Sequence, residues 1–158
     1  MDELLSAVEE AQTLGYFKSF CDKNCSPSAK QRIRNIISRA SNKSSCIKGL
    51  FKNEINVDLT DSQTDWMLSL VTAFINKSTY RKAISDQTKV QLLKSQTYKC
   101  NICNATINIH AHADHIVPFK YVGDELNENH NLQMLCSKCN EAKNASIDYQ
   151  IKYLLKLV

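Results

Sequence analysis

The sequence predicts an α+β protein, in which an α-helical region over residues 1–96 precedes a small cysteine-rich domain over residues 97–158. In the first part, apolar residues recur at helical spacing while glycine and proline are scarce. The second part carries two Cys-x-x-Cys pairs and a short stretch of alternating polarity. A length of 158 residues and a hydrophobic content of 43% suffice for a folded domain with a helical extension.

The first two helices are predicted from apolar spacing and from end signals. Apolar residues between Leu4 and Leu14 follow helical spacing, and Gly15 is a plausible helix end. A second helix is predicted from Ser26 to Arg39, since serine followed by proline is a common helix start. Its isoleucines would face the core: Ile33, Ile36 and Ile37.

Further elements follow in order along the chain. Residues 60–63 form a capping box before a helix that contains Trp66 and Phe74, and residues 86–94 predict a short helix. From Tyr98 the pattern predicts a cysteine knuckle and then a strand, because Ile107, Ile109, Ala111 and Ala113 alternate with polar residues. Residues 135–144 and 149–157 predict two last helices, after a polar loop at 123–130.

Four of the seven cysteines predict a structural zinc site. Cys100 and Cys103 form one pair and Cys136 and Cys139 the other, so each pair can present two thiolates to a tetrahedral ion. In a reducing compartment such pairs indicate metal binding before disulfides. The other three, Cys21, Cys25 and Cys46, are expected to be small apolar side chains without a special role.

The net charge of +4 is unevenly distributed. Residues 23–53 contain eight basic and no acidic residues, whereas residues 94–145 contain five of each. A stretch of one sign can bind phosphates through counterion release, which makes Arg32, Arg34 and Arg39 candidate nucleic-acid contacts. The alternative is a solvated helix face.

No apolar run is long enough to predict a transmembrane helix, so no membrane partner is expected. The first residues are acidic and amphipathic and do not resemble a secretory signal. The expected location is therefore cytoplasmic.

The residues between and after the cysteine pairs form a connected motif. It comprises Asp114-His115-Ile116-Val117-Pro118, then Asn131-Leu132-Gln133-Met134-Leu135, then Cys136-Ser137-Lys138-Cys139-Asn140-Glu141-Ala142-Lys143. Together with Cys100-x-x-Cys103, this order resembles the HNH endonucleases of the four-cysteine type, which are ββα-metal nucleases similar to some restriction enzymes. The resemblance covers about residues 98–145 and implies a zinc-stabilised nuclease domain in the second part.

The chemistry of these residue types fits phosphodiester hydrolysis. A neutral imidazole at His115 can accept a proton near pH 7, and the Asp114 carboxylate is a hard oxygen ligand suited to Mg²⁺. By resemblance, Asn140 is the second ligand of the catalytic metal, in a position that many relatives fill with histidine. Its amide oxygen favours Mg²⁺ or Mn²⁺ over softer metals.

The resemblance also implies supporting residues. Asn131 would brace the loop and orient His115 through a hydrogen bond. Lys143 could contact a phosphate, as could His112, which shares the strand parity of Asp114 and could instead be an extra ligand or a simple polar residue. His110 and His130 are weaker candidates, and His130 is better explained as a loop residue.

These patterns predict a metal-dependent DNA endonuclease with a one-metal mechanism, of a restriction or defence type. Double-stranded DNA is the expected substrate, and a homodimer is expected because both strands must be cut. The helical region would bind DNA or dimerise. The alternative is a zinc-stabilised nucleic-acid-binding module without catalysis, which has no need of Asp114, His115 and Asn140 together.

Overall fold

A computed structural model describes residues 5–128 and 130–157 of the chain. Leu4, part of the first predicted helix, lies outside them. The elements in chain order are α1 (Ala7–Lys23), α2 (Pro27–Arg39), α3 (Lys43–Ile55), α4 (Asp61–Asn76), α5 (Asp86–Ser95), β1 (His112–His115), α6 (Phe119–Val122), β2 (Leu132–Leu135), α7 (Ser137–Lys143) and α8 (Ile147–Leu154). The α+β class is thereby confirmed. Among these residues, no helix combines the length and apolarity needed to cross a bilayer.

Helix α1 continues past the predicted stop at Gly15 and ends at Lys23. It begins at a capping box in which Ser6 accepts from the Glu9 amide and Glu9 accepts from the Ser6 amide. A Cβ at Gly15 would lie 4.0 Å from Ile151 Cδ1, so this position faces α8. The prediction of an end there was wrong, because a helix interior tolerates a glycine at a cost of about 1 kcal/mol when packing holds both sides.

The other N-terminal helices follow their end signals. Ser26 and Thr60 cap α2 and α4 as predicted, through hydrogen bonds to backbone amides. In α2, Ile33 and Ile37 are buried, but Ile36 is exposed. Helix α3 was not predicted; its cap is Asn42, whose side chain accepts from the Ser45 amide.

The second part contains one two-stranded antiparallel sheet. Strand β1 pairs with β2 so that Asp114 lies opposite Gln133 and His115 opposite Leu132. The predicted strand at 107–113 is formed in part, since β1 begins at His112 and includes Ala113, Asp114 and His115. Residues 108–111 instead form a turn in which the Ala111 amide donates to the Asn108 carbonyl at 3.0 Å, and before β1 there is only an isolated bridge between Lys99 and Thr106 in the described part of the chain.

Two hydrophobic clusters hold the fold. The larger one combines side chains of α1–α4 with Val117, Val122, Leu126 and Ile147 from the second part. The smaller one lies beside the sheet and comprises Leu93, Cys100, Ile107, Met134, Leu135 and Cys139. The larger cluster thus crosses the boundary expected at residues 96 and 97, so α1–α4 and the second part are packed together through apolar contacts.

Candidate metal and catalytic site

The four cysteines of the two Cys-x-x-Cys pairs converge at one point. Their sulfur atoms all lie within 4.8 Å of one another, and the Sγ atoms of Cys103 and Cys136 are 3.7 Å apart. Tetrahedral zinc with Zn–S bonds of about 2.3 Å places its sulfurs about 3.8 Å apart. The cluster therefore has the dimensions of a four-cysteine zinc site.

The electrostatics of the cluster favour a cation between the sulfurs. Burial opposes ionisation of Cys100, but the backbone amides of Cys103, Cys136 and Ile102 lower the pKa of its thiol to about 7. Burial and the neighbouring sulfur atoms raise the pKa of Cys139. Four thiolates this close repel one another, so full ionisation requires a positive charge among them.

The cysteine cluster also fixes the start of α7. Cys136 is the N-cap residue of this helix, and its sulfur accepts from the Cys139 amide at 3.4 Å. The next residue, Asn140, donates its backbone N–H to the Cys136 carbonyl at 2.9 Å. The sulfur cluster thus sets the position of Asn140, because it fixes the first turn of α7.

A cleft of about 1180 Å³ lies beside the sheet, and three of the four predicted catalytic residues line it. It is lined by residues from β1, from α7 and from the segment that joins α4 to α5. Among the predicted residues its walls include His112, Asp114, His115 and Asn140. Asn131 and Lys143 are buried, and neither lines this cleft.

Asp114 is held by two side chains. Its Oδ2 accepts from Gln133 Nε2 at 3.0 Å and lies 3.1 Å from Lys143 Nζ. Gln133 in turn accepts from Asn101 Nδ2 at 2.8 Å, which links Asp114 to the residue next to Cys100. Within the described residues Oδ1 receives no hydrogen bond, so one carboxylate oxygen is available to a ligand.

Lys143 does not have the position expected of a phosphate contact. Its side chain is 0% exposed, and Nζ donates to the His115 carbonyl at 2.9 Å besides pairing with Asp114. The sequence led us to expect that Lys143 could reach a phosphate, but the short α7 turns this side of the helix toward β1. Lys143 is therefore an internal counter-ion of Asp114, and its contact with a phosphate does not fit this arrangement.

His115 forms a buried pair with a residue that the sequence reasoning missed. Its Nε2 donates to Asp124 Oδ1 at 3.0 Å, and the two side chains are 6% and 5% exposed. Burial alone would raise the pKa of the Asp124 carboxyl. Hydrogen bonds from the Lys82 amide, from Asn127 and from His115 outweigh burial and lower that pKa.

Asn131 braces the chain after β1 but does not bond to the imidazole. Its Oδ1 accepts from the Val117 amide at 2.8 Å, and its Nδ2 donates to the Val117 carbonyl at 3.1 Å. Both ends of the amide are therefore used on one backbone residue. The expected orienting hydrogen bond to His115 comes instead from Asp124.

The remaining histidines have different surroundings. His112 Nε2 lies 3.2 Å from Ser137 Oγ, which connects the start of β1 to the start of α7. His110 is exposed and lines the same cleft. His130 is exposed outside this cleft, at a positive φ of 62°, as suits a loop residue.

The basic stretch of residues 23–53 is largely engaged within the protein. Arg32 pairs with Glu54 at 2.8 Å, and Arg34 donates to the Ile75 carbonyl at the end of α4. Acidic residues just beyond the stretch also pair with Lys48 and Lys52. Arg39 is exposed, and none of the three predicted arginines lines the cleft. Three of the eight basic residues, Arg32, Lys48 and Lys52, are thus paired with acidic residues that follow the stretch in sequence, so the stretch carries less free positive charge than the sequence suggests.

A different set of basic residues lines the cleft: Arg81, Lys82, Lys89 and Lys120. The sequence reasoning missed them, since they are scattered over forty residues of ordinary composition. Only the Tyr80-Arg81-Lys82 triplet, an aromatic residue followed by two cations, was a usable signal. Two carboxylates, those of Asp86 and Asp114, share the cleft with them.

Comparison with known proteins gives one family. Residues 100–146 match the family model described as HNH endonuclease, which is a little under a third of the chain. A search of curated proteins and a search of solved structures found no match. The matched range contains the four cysteines, Asp114, His115 and Asn140. Residues 100–146 are thus identified as an HNH endonuclease domain, which confirms the resemblance seen in the sequence.

Proposed function

We propose that this chain is a metal-dependent endonuclease that hydrolyses phosphodiester bonds of DNA with one catalytic metal ion. The observation that carries the proposal is the shared cleft of Asp114, His115 and Asn140 inside the HNH domain. Such hydrolysis needs a base for water and relief of charge on the phosphate oxygens. The cleft offers a histidine for the first task and oxygen ligands for the second.

His115 is the proposed general base. Because Nε2 donates to the Asp124 carboxylate, the neutral imidazole carries its proton on Nε2 and leaves Nδ1 free to accept one from water. Asp124 then stabilises the imidazolium that forms, as a carboxylate does in other histidine–carboxylate pairs. Asp124 acts through His115 and is therefore a positioning residue.

Asp114 and Asn140 are the proposed ligands of the catalytic cation. A carboxylate and an amide offer oxygen atoms only, which suits Mg²⁺ or Mn²⁺, and Asp114 Oδ1 is available for this role. When bound, the cation would neutralise charge on the phosphate and on the leaving oxygen. Gln133 and Lys143 keep the Asp114 carboxylate in place.

The four-cysteine cluster is proposed to bind zinc with a structural role. All four thiolates would be used as ligands, which leaves no open position for water. Its contribution to function is indirect, because the cluster sets the first turn of α7 and so the place of Asn140.

Double-stranded DNA is the proposed substrate, and restriction or defence against foreign DNA is the proposed role. An enzyme with one such site must cut each strand separately. A homodimer with two-fold symmetry is therefore proposed, since it would present one site to each strand.

One observation favours a second candidate, a zinc-stabilised nucleic-acid-binding module without catalysis. The Asp114 carboxylate already has a buried counter-ion in Lys143, so a cation is not required to balance its charge. Both candidates bind DNA and both keep the zinc cluster. They differ in whether the cleft supports metal-dependent cleavage.

A plasmid-nicking assay separates the two candidates. Supercoiled DNA is incubated with the protein in Mg²⁺, in Mn²⁺ and without added divalent metal, and the nicked and linear products are quantified. His115→Ala is expected to lower the cleavage rate by at least about a hundredfold, because general base catalysis contributes that much. His110→Ala, which removes an exposed histidine from the same cleft, is the matched control.

Binding of a labelled duplex and circular dichroism show whether the His115→Ala protein remains folded and competent to bind. Cleavage at the wild-type rate by His115→Ala would refute the role of this residue. Retained DNA binding without metal-dependent cleavage by any form would instead establish the binding module.

A further inference from the structure

The segment of residues 77–84, here called the crossing segment, passes from α4 to α5 over the HNH domain. At its start, Lys77 Nζ donates to the Lys120 carbonyl at 2.7 Å. Near its end, the Lys82 amide donates to Asp124 Oδ2 at 2.7 Å. The segment is thus tied to α6 and to the carboxylate that holds His115, which places its middle residues next to the proposed base.

Arg81 is positioned against the aromatic neighbour of His115. Its guanidinium carbon lies 4.8 Å from the centre of the Phe119 ring, and that ring is 5.7 Å from the imidazole centre of His115. The stacking restrains the planar group and preserves its charge. Arg81 therefore approaches His115 through Phe119 and lines the same cleft.

The charge of Arg81 is not neutralised within the described residues. No carboxylate there lies within 4.0 Å of its guanidinium, in contrast to Arg32. Lys82, Lys89 and Lys120 bring three more cations to the cleft walls. A cleft with cations held beside a proposed catalytic base suits a polyanionic backbone.

Tyr80 gives the crossing segment an exposed aromatic ring. Its side chain belongs to the residue before Arg81 and is 74% exposed. Aromatic rings next to cations bind nucleic acids by packing on sugars and bases, with little dependence on sequence. The triplet Tyr80-Arg81-Lys82 thus combines an uncharged contact with charged ones.

We propose that the crossing segment is a nucleic-acid-binding element, in which Arg81 binds a backbone phosphate next to the one that is cleaved and Tyr80 packs on the same strand. This inference rests on the proposed function, because the scissile phosphate is placed by His115 and Asp114. Under this proposal the helical region binds substrate through residues 77–84, between α4 and α5, and not through the basic face of α2.

The experiment measures binding of a fluorescein-labelled duplex of mixed sequence as a function of salt, in the chain with His115→Ala so that the DNA stays intact. Arg81→Ala is expected to weaken binding about three- to tenfold and to reduce the slope of log K against log salt by about one, as the loss of one phosphate contact does. Arg39→Ala, an exposed arginine outside the cleft, is the matched control and is expected to change neither quantity.

Two further variants separate charge from stacking. Arg81→Lys is expected to keep the salt slope and to bind more weakly than arginine, because a lysine lacks the planar contact with Phe119. Tyr80→Ala is expected to weaken binding without changing the slope, since an uncharged contact releases no counterions. If Arg81→Ala and Arg39→Ala changed affinity and salt slope alike, the proposal would be overturned. If Tyr80→Ala left the affinity unchanged, the role proposed for Tyr80 would be overturned.

The outcome can be distinguished from failure of the proposed function. If the otherwise unmodified chain nicks DNA and the Arg81→Ala chain nicks and binds DNA equally well, the crossing segment is not a nucleic-acid-binding element, although the proposed endonuclease function stands. If no form cleaves but Arg81→Ala loses affinity and slope, the element stands in a binding module. Zinc content and circular dichroism of each variant verify that the fold is retained.

Discussion

The two parts of the molecule are stabilised in opposite ways. In α1–α4 the interior is mainly apolar, with Phe17, Phe20 and Phe51 fully buried, and the ion pairs are at the surface. Among the described residues the second cluster has only six buried members, and two of them, Cys100 and Cys139, are cysteines. After residue 96 polar side chains are also buried, among them those of Lys143, His115 and Gln133. The first part gains stability from apolar burial, whereas the second has a smaller apolar cluster, buried charges and four cysteines with the geometry of a zinc site.

The comparison indicates that the buried charges of the second part lower its stability for the sake of the proposed chemistry. Buried charges contribute little net stability even when they are well paired, so a domain built for stability alone would avoid them. The second part holds them because the proposed chemistry needs a carboxylate and an imidazole in defined orientations. The predictions below test the polar side of this contrast, by changing a sulfur atom of the cluster, a buried charge or a surface ion pair.

The largest effect is expected from the sulfur cluster. Cys139→Ser removes one of the four ligands, and loss of structural zinc costs on the order of 10 kcal/mol of folding free energy. We expect the second part to unfold and to destabilise α1–α4 packed against it, with a loss of helical signal in circular dichroism and of zinc in elemental analysis. The exposed Cys25→Ser is the control. Full zinc content in Cys139→Ser would contradict the four-cysteine site.

The next effect is expected at the buried pair of Lys143 and Asp114. Lys143→Ala leaves the carboxylate without its counter-ion and should destabilise the protein by about 3 kcal/mol in urea unfolding. The double variant with Asp114→Ala should lose less than the sum of the two single variants, because the pair is removed as a unit. Simple additivity would show that the two side chains do not interact.

A pH-dependent effect is expected from Asp124. Its pKa is lower in the folded than in the unfolded chain, so its contribution is present above the unfolded value, about pH 4, and is lost as pH falls through the folded value. Asp124→Asn should therefore make the denaturation midpoint less dependent on pH between about pH 5 and pH 2. A midpoint that falls equally steeply in both proteins would assign the acid sensitivity to other carboxylates.

The smallest effect is expected at the surface pair of Arg32 and Glu54. Arg32→Ala should change the free energy of unfolding by less than about 1 kcal/mol, because exposed pairs are screened by solvent. It should also leave the affinity for duplex DNA unchanged if the helix face is not a binding surface. Urea unfolding and fluorescence anisotropy measure the two quantities. A severalfold loss of affinity would restore the interface that the basic stretch first suggested.

The sequence predicted the parts of the site that are specified by local order. The two cysteine pairs, the adjacent Asp114 and His115, and Asn140 are specified by their spacing along the chain. The structure brings the four cysteines together and places Asp114, His115 and Asn140 on one cleft. Asp124 was missed because it meets His115 only after the turn that follows α6. The burial of Lys143 was missed because a lysine on a short helix is usually solvated.

The elements of the fold were likewise predicted where local sequence specifies them and missed where distant contacts do. Caps and apolar spacing located α2, α4 and α5, since those signals act within one turn of helix. Strand β2 was not predicted because all four of its residues are buried, so no alternation is visible in the sequence. The end of α1 was misplaced because its length depends on packing against α8.

Gly123 determines how near the two parts of the chain can come to each other. Its φ is +58°, and a Cβ there would lie 3.2 Å from Lys77 Cβ and 3.4 Å from the Ser78 carbonyl oxygen. Any other residue at this corner would meet both a backbone penalty and a steric one, because Gly123 ends α6 directly against Lys77 and Ser78, which follow α4. A hydrogen atom in place of a methyl group thus sets how closely the start of residues 77–84 can approach the HNH domain at this corner.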